Sequence, residues 1–452
     1  MTRENGKTHK SHENDESHEN DESYDAVVIG AGVLGCSVAY ALAQDGRRVC
    51  VVDRNASAGS GSTSASSAVV RFNYSTFAGV AGAWESARIW QNWAQHLGAD
   101  AGTGSARFIR TGGLSLDAPG QDRRKVLALF DRVGVPYEVW DEALLRERMP
   151  LLDTGRHYPP KAVTDDAFWG EPTGTLTGYW TPDSGFIDDP QLAARDLMAA
   201  AERHGARFRF RSPVVRVDRT DRVTGIGLAD GTVLAAPVVV NVAGPHSGAV
   251  NGLAGVEDGF RVRTRPLRQE VHEVRAPEGY GRDGAGPLVA DLDLGTYFRG
   301  TPSGGIIVGG TEPECDVLQW LDDPDAYSVH PSKAVYDAQL LRAARRLPTL
   351  TVPGTPRGTA GVYDVSDDWI PIYDKTDLPG YYVAIGTSGN QFKNAPVVGR
   401  YIAAIVAACE DGRDHDTDPV QVDLPHTGHR VDLSHYSRLR TVNRDSSFSV
   451  MG

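Results

Sequence analysis

Three glycine turns, a few hydroxyl side chains and two basic residues mark where this 452-residue chain could do chemistry. The first turn is Gly30-Ala31-Gly32-Val33-Leu34-Gly35. It lies between an apolar run, Ala26–Ile29, and a stretch in which Leu34, Val38 and Leu42 recur at helical spacing. A second apolar run, Val49–Val52, ends in Asp53, 18 positions after Gly35. Strand, glycine turn, helix, strand and acidic residue, in that order, are what binding of a dinucleotide pyrophosphate requires. Gly30 permits the tight turn, Gly32 lets the backbone approach the pyrophosphate, and Gly35 lets helix and strand pack closely. The start of the helix offers unpaired N–H groups to the phosphates. Asp53 is suited to accept hydrogen bonds from a ribose 2′-OH, which favours FAD or NAD over NADP. A glycine-rich turn without a ligand is the alternative, and it has little weight in this context.

The elements around these residues separate the two cofactors. The chain returns to the strand-plus-glycine pattern twice. Val238–Val242 runs into Ala243-Gly244-Pro245, and Tyr381–Ile385 runs into Gly386-Thr387-Ser388-Gly389 and a helix over Val397–Cys409. Three distant segments building one site suit FAD, whose flavin must be held far from its adenine. A Ser/Gly-rich loop covers Ser57–Ser67, and helices are expected over Ala78–Leu97, Pro190–His204 and Ser332–Leu347. Arg265–Val274, Thr296–Arg299 and Gly304–Val308 read as strands of a second sheet. The expected fold is α/β: a Rossmann-like FAD-binding domain, with an interleaved α+β substrate domain on a mixed, largely antiparallel sheet. The expected boundaries are 24–106, 179–258 and 350–425 for the FAD-binding domain and 107–178 and 259–349 for the substrate domain. A disordered acidic tail over 1–23 and a C-terminal surface tail over 426–452 complete the chain.

Composition narrows the partners. Hydrophobic residues make up 40% of the chain and charged residues 23%, enough for a sizeable core. A net charge of −13 argues against nucleic acid and anionic membrane and for a small-molecule partner. No apolar stretch reaches membrane-spanning length and no secretory signal is visible, so a cytoplasmic protein is expected. Cys36, Cys50, Cys315 and Cys409 are widely spaced, as reduced thiols rather than a disulfide frame or a metal site. SHENDE occurs twice in tandem, at Ser11–Glu16 and Ser17–Glu22, and its histidines read as part of a solvated tail rather than as metal ligands.

Five segments together resemble the D-amino-acid oxidase superfamily, especially its sarcosine oxidase, dimethylglycine oxidase and glycine oxidase branch. They are VVIGAGVLGCSVAYALA, GSTSASSAVVRF, YWTPDSGFIDDPQLA, VVVNVAGPHSG and GTSGNQFKNAPVVGR. The resemblance spans roughly Tyr24 to Cys409 and is more specific for fold and cofactor than for substrate. It implies oxidation of an amine or amino acid to an imine with reduction of the flavin, followed by imine hydrolysis. Reoxidation by dioxygen, giving hydrogen peroxide, is the usual course.

The resemblance also assigns residues. Lys393 takes the place of the lysine that binds the substrate carboxylate in the similar stretch G-F-S-G-H-G-F-K, although Asn390-Gln391 replaces His-Gly. Arg71 pairs with the same carboxylate, and Ala68 stands where the branch has another arginine. Cofactor contacts are implied at Gly30, Gly32, Val33, Gly35, Asp53, Arg54, Ser62, Thr63, Ser64, Val215, Ala243, Gly244 and Gly361. They continue through Gly386, Gly389, Asn390, Gln391, Phe392 and Lys393. The plainer readings are a surface lysine at 393 and a flexible linker at 62–64. Tyr297, Tyr363 and Trp369 are pocket-wall candidates that could equally be core. Gly361 replaces the cysteine that carries covalent flavin in that branch, so noncovalent FAD is expected. The strand at Gly304–Gly310 has no counterpart of the branch's oxygen-activating lysine. That leaves open a dehydrogenase with another electron acceptor; a non-enzymatic flavin-binding protein is the more remote alternative.

Overall fold

Short, wholly apolar runs make the central sheet. Ala26–Ile29, Val49–Val52, Val239–Asn241 and Tyr381–Ile385 are buried along their whole lengths. That pattern belongs to a parallel sheet covered on both faces. The computed structural model describes residues 21–98, 104–119, 122–281 and 286–452; most of the tandem SHENDE segment lies outside them. The six-stranded sheet has the order Arg207–Arg209, Val49–Val52, Ala26–Ile29, Val239–Asn241, Tyr381–Ile385, Ile372–Lys375. All neighbours are parallel except the last pair. The three strand-plus-glycine segments thus lie side by side, with their glycine turns at the same, carboxyl edge.

Helix packing fixes how closely those turns approach. Val33–Gln44 lies between the helices Pro190–Arg203 and Ala395–Glu410. Ser37 Oγ donates to Ala395 O at 2.6 Å. A Cβ on Gly399 would sit 2.3 Å from Ser37 O, so only glycine allows this approach. Pro190–Arg203 starts at Asp189, whose side chain accepts from Leu192 N at 2.9 Å, with proline in the first turn. The stretch expected as one helix over Ala78–Leu97 is two, Phe77–Gln91 and Trp93–Leu97. Asn92 separates them, its side chain donating to Arg88 O at 3.0 Å in competition with the backbone ladder.

The second sheet is mixed and nine-stranded. Thr264–Arg275 is its longest strand and pairs antiparallel with Gly305–Gly310, Gln319–Trp320 and Gly358–Ser366. Its parallel pair joins Leu288–Asp291 to Gly113–Leu116. Two of its strands cross the expected boundaries. Gly178–Thr181 pairs with Gly113–Leu116 and Glu138–Trp140, and Gly358–Ser366 with Thr264–Arg275. Neither belongs to the six-stranded sheet. Both ends of the chain also depart from expectation. Asp21–Ser23 pairs in parallel with Val233–Ala235 instead of being part of a disordered tail. Residues 426–452 are no surface tail: Leu433, Tyr436, Arg438 and Met451 are buried. Arg438 pairs with Asp374 at 3.2 Å, Asp416 at 2.7 Å and Asp377 at 2.5 Å. A polar sequence reads as an exposed one, but Arg438 and Arg440 of this segment are paired with carboxylates inside the fold. All four cysteines are free. Among the described residues, no helix is long and apolar enough to cross a membrane.

Candidate active site

At the first glycine turn, Gly30 has φ +109°, and a Cβ there would meet Val242 O at 2.4 Å. A Cβ on Gly35 would lie 1.9 Å from Gly30 O. The turn therefore closes onto Val242 and Ala243, and the second strand-plus-glycine segment, with Gly244, abuts the first. Helix Val33–Gln44 begins at Gly32 with no side-chain cap and no acidic residue in its first turn. A Cβ on Gly32 would meet only Thr63 Oγ1, at 3.3 Å. The helix's first turn thus carries no acidic side chain of its own and is sterically open, which fits a pyrophosphate. Thr63 Oγ1 accepts from Val33 N at 3.1 Å, where a phosphate oxygen would be a stronger acceptor.

Asp53 accepts from Ala31 N and Asn55 N, both at 2.7 Å, placing its carboxylate beside the turn. Arg54 forks onto Asp325 at 2.7 and 2.8 Å, and His246 Nε2 lies 3.1 Å from the same carboxylate. Arg54 is therefore committed to a protein partner. Val215 is half-exposed on Val214–Arg219. The approach to that strand is tied to the Asp53 region by Arg211 N donating to Asn55 O and Ser212 N to Asp53 O. Ser62 Oγ donates to Val362 O at 2.6 Å, beside Gly361, whereas Ser64 is exposed and bonds within its own loop. A Cβ on Gly361 would lie 2.9 Å from Ala65 Cβ. The Ser-rich loop is thus held against the strand Gly358–Ser366, not free as a linker would be.

The third glycine turn is tied to the second sheet. Gly386 N donates to Asp364 Oδ2 at 2.6 Å and Ser388 N to Asp364 O at 2.7 Å. Gly386, Ser388 and Gly389 all have positive φ, and a Cβ on Gly389 would lie 2.3 Å from the Tyr363 ring. Burial pushes the Asp364 carboxyl up to about 7, opposed by the Gly386 N–H. Asn390 and Gln391 are buried and bonded to each other, and Phe392 stacks on Trp90.

Lys393 and Arg71 meet at this turn. Lys393 is 3% exposed; its Nζ donates to Asn390 O at 2.6 Å and lies 4.9 Å from the centre of the Tyr74 ring. Arg71 is 7% exposed and donates to three carbonyls: Asn73 O at 2.5 Å, Met451 O at 2.9 Å and Val450 O at 2.5 Å. Neither cation has a carboxylate ion-pair partner among the described residues. Burial, with Arg71 adding, holds Lys393 well below the usual lysine range, and burial also lowers Arg71. Both line one cavity with Tyr297, Tyr363, Val450 and Met451, in which ≈ 50 Å³ is free. Two of the three aromatic candidates thus border the cavity. Trp369 instead packs with Leu267 and Val365, while its carbonyl accepts from Asn390.

Sequence reasoning missed Asp364, Glu312 and the segment at Val450–Met451. A carboxylate inside the apolar strand Gly358–Ser366 was a signal for the first. Glu312 follows Gly309-Gly310 at the end of a strand, a weaker one. Nothing local pointed to Val450 or Met451.

The chain is 24% identical to sarcosine oxidase subunit beta of Arthrobacter sp over 419 residues, covering 90% of this chain and 93% of the relative. It is 23% identical to the FAD-dependent oxidoreductase domain-containing protein 1 of Xenopus laevis, over 84% of this chain and 79% of the relative. The structure of L-proline dehydrogenase from P.horikoshii superposes with a TM-score of 0.72 at 22% identity, covering 92% of this chain and 97% of the other. Glycine oxidase from Geobacillus kaustophilus superposes with 0.70 at 19% identity, over 93% and 100%. The family model described as FAD dependent oxidoreductase (DAO) matches residues 25–405, most of the chain. Its glycine turns, its sheet order and this match together show that the chain belongs to the DAO family of FAD dependent oxidoreductases.

Proposed function

We propose that the protein oxidises the C–N bond of a small amine or amino acid that carries a carboxylate, with noncovalently bound FAD. The observation that carries this reading is the pair of buried cations, Arg71 and Lys393, facing one cavity beside the third glycine turn, neither of them ion-paired to a carboxylate among the described residues. Buried charges left unpaired are strongly destabilising, so a site that keeps two is suited to an anion from outside. The relatives named for sarcosine, glycine and L-proline support an amino-acid-sized ligand.

The first glycine turn and Asp53 would hold the dinucleotide end of FAD, and the segment Gly386–Lys393 its flavin end. Bound there, FAD supplies the hydride acceptor. Arg71 and Lys393 grip the carboxylate and so aim the α-carbon. Arg71 is the planar, two-point contact and Lys393 the point charge. Tyr297 and Tyr363 wall the cavity and exclude water. The nitrogen lone pair must be free for the imine to form, so the substrate reacts as the neutral amine. The imine then hydrolyses in water.

Gly361 supports noncovalent FAD, since no cysteine stands there. Dioxygen is the proposed reoxidant. The strand Gly305–Gly310, which has no lysine, favours a second reading in which another acceptor takes the electrons. A cytoplasmic location is proposed with both. The decisive experiment mixes the purified protein anaerobically with free and N-methylated amino acids while flavin absorbance is followed. Bleaching by at least one is expected. Bleaching only by an alcohol that carries no amine overturns the proposal. Turnover with oxygen against turnover with an artificial dye separates the two acceptors.

A further inference from the structure

Val450 engages the cavity through its backbone. Its N–H donates to Glu312 Oε2 at 2.8 Å, and its carbonyl accepts from Arg71 Nη2 at 2.5 Å. The next carbonyl, of Met451, accepts from Arg71 Nη1 at 2.9 Å. The N, Cα and carbonyl of Val450 form the framework of an α-amino acid, with nitrogen toward a carboxylate and oxygen toward a guanidinium. Met451 O stands where the second carboxylate oxygen of a free amino acid would bind, completing the two-point contact on Arg71. Glu312 is set up for this role. It follows the strand Gly305–Gly310 with φ +53°, and its other oxygen, Oε1, accepts from Gln269 Nε2 at 3.0 Å. Among the described residues, Oε2 accepts only from Val450 N–H. Removal from water pushes this carboxyl up to about 8, opposed by the Val450 N–H and by Arg71.

We propose that Glu312 is the amine-binding, specificity-determining residue of this pocket, and that Val450–Met451 occupies the amino-acid subsite as an internal surrogate that substrate displaces. This rests on the carboxylate reading of Arg71 and Lys393. Once the surrogate leaves, Glu312 Oε2 accepts the substrate's N–H. Above about pH 8, where Glu312 is ionised, a substrate that arrives as an ammonium ion passes its proton to the Glu312 carboxylate, leaving a neutral amine and a neutral carboxyl. No further reactant is needed. The pocket then prefers an α-amino acid over an acid without nitrogen, because only the former satisfies Glu312.

The test uses the full-length, FAD-loaded protein and three probes: N-methylglycine, L-proline and propionate. Binding is read anaerobically from flavin absorbance, with steady-state KM and kcat where a probe turns over. Glu312→Gln keeps an acceptor for Val450 but removes the charge. It should weaken binding of the amino acids by roughly 10- to 100-fold and leave propionate unchanged. Glu312→Asp should restore part of the preference for the amino acids. Val450→Pro removes the N–H that anchors the surrogate and should tighten all three probes, because more of the protein is then competent to bind. Equal weakening of propionate and amino acids by Glu312→Gln, with flavin content intact, makes Glu312 structural and overturns the amine assignment. No change in either does the same. Unaltered affinities in Val450→Pro overturn the surrogate. If propionate perturbs the flavin of neither parent nor Val450→Pro, the carboxylate reading fails first, and this inference with it.

Discussion

Replacing Lys393 by methionine tests the cation pair most directly. The side chain is 3% exposed, and its ammonium has one protein acceptor, Asn390 O at 2.6 Å, with the Tyr74 ring 4.9 Å away. Methionine fills a similar volume and removes the charge together with the donor to Asn390 O. If a substrate carboxylate pairs with this ammonium inside the cavity, its loss costs ~2–5 kcal/mol, or roughly 30- to 4000-fold in affinity. Stability should respond in the opposite sense. The pKa of Lys393 is depressed on folding, so the unfolded chain binds more protons between the folded value and 10.5. The parent therefore gains stability as pH rises through that window, and Lys393→Met should lack this component. The assay pairs a carboxylate-inhibitor titration, read by flavin absorbance, with denaturant unfolding across alkaline pH. A variant that binds inhibitor like its parent refutes the carboxylate role. A variant that loses inhibitor binding, flavin and stability together points to a structural lysine instead.

Three further outcomes follow from other parts of the site. Arg71→Lys should also weaken carboxylate binding by at least tenfold, as an ammonium cannot make the planar two-point contact; an inhibitor titration checks it. Acid precipitation should leave yellow flavin in the supernatant, and a yellow pellet would contradict noncovalent binding. Asp364→Asn should flatten the stability profile between pH 4 and 7. The Asp364 pKa is raised to about 7 on folding, so its stabilising contribution is complete below the unfolded value and is lost as pH rises through 7. The amide retains an acceptor for Gly386 N–H, so the turn should persist; unchanged pH dependence in urea titrations would remove Asp364 from the account.

The parts legible in the sequence were those determined locally. Gly30, Gly32, Gly35 and Asp53 could be read because a tight turn, a close backbone approach and a strand-end carboxylate each restrict residue type at a short, fixed spacing. The same holds for the apolar strands and for the helix expected from Pro190. Boundaries were harder. Gly358–Ser366 was grouped with its neighbour Tyr381–Ile385, yet it pairs with Thr264–Arg275, about ninety residues earlier. Strand pairing depends on partners that a local pattern does not name.

The sequence alone thus determined the dinucleotide turn and the apolar strands beside it, and its resemblance to a family named Lys393 and Arg71 as candidates. Tertiary structure decided what those two residues face. Only folding places Tyr363 under Gly389, ties Gly386 to Asp364, and brings Val450 and Met451 onto Arg71, some 380 positions earlier in the chain. The last contact has no signature in composition, because it is made by backbone carbonyls and an N–H that every segment carries. Such groups acquire specificity from where the fold puts them, and burial beside two unpaired cations gives these their meaning.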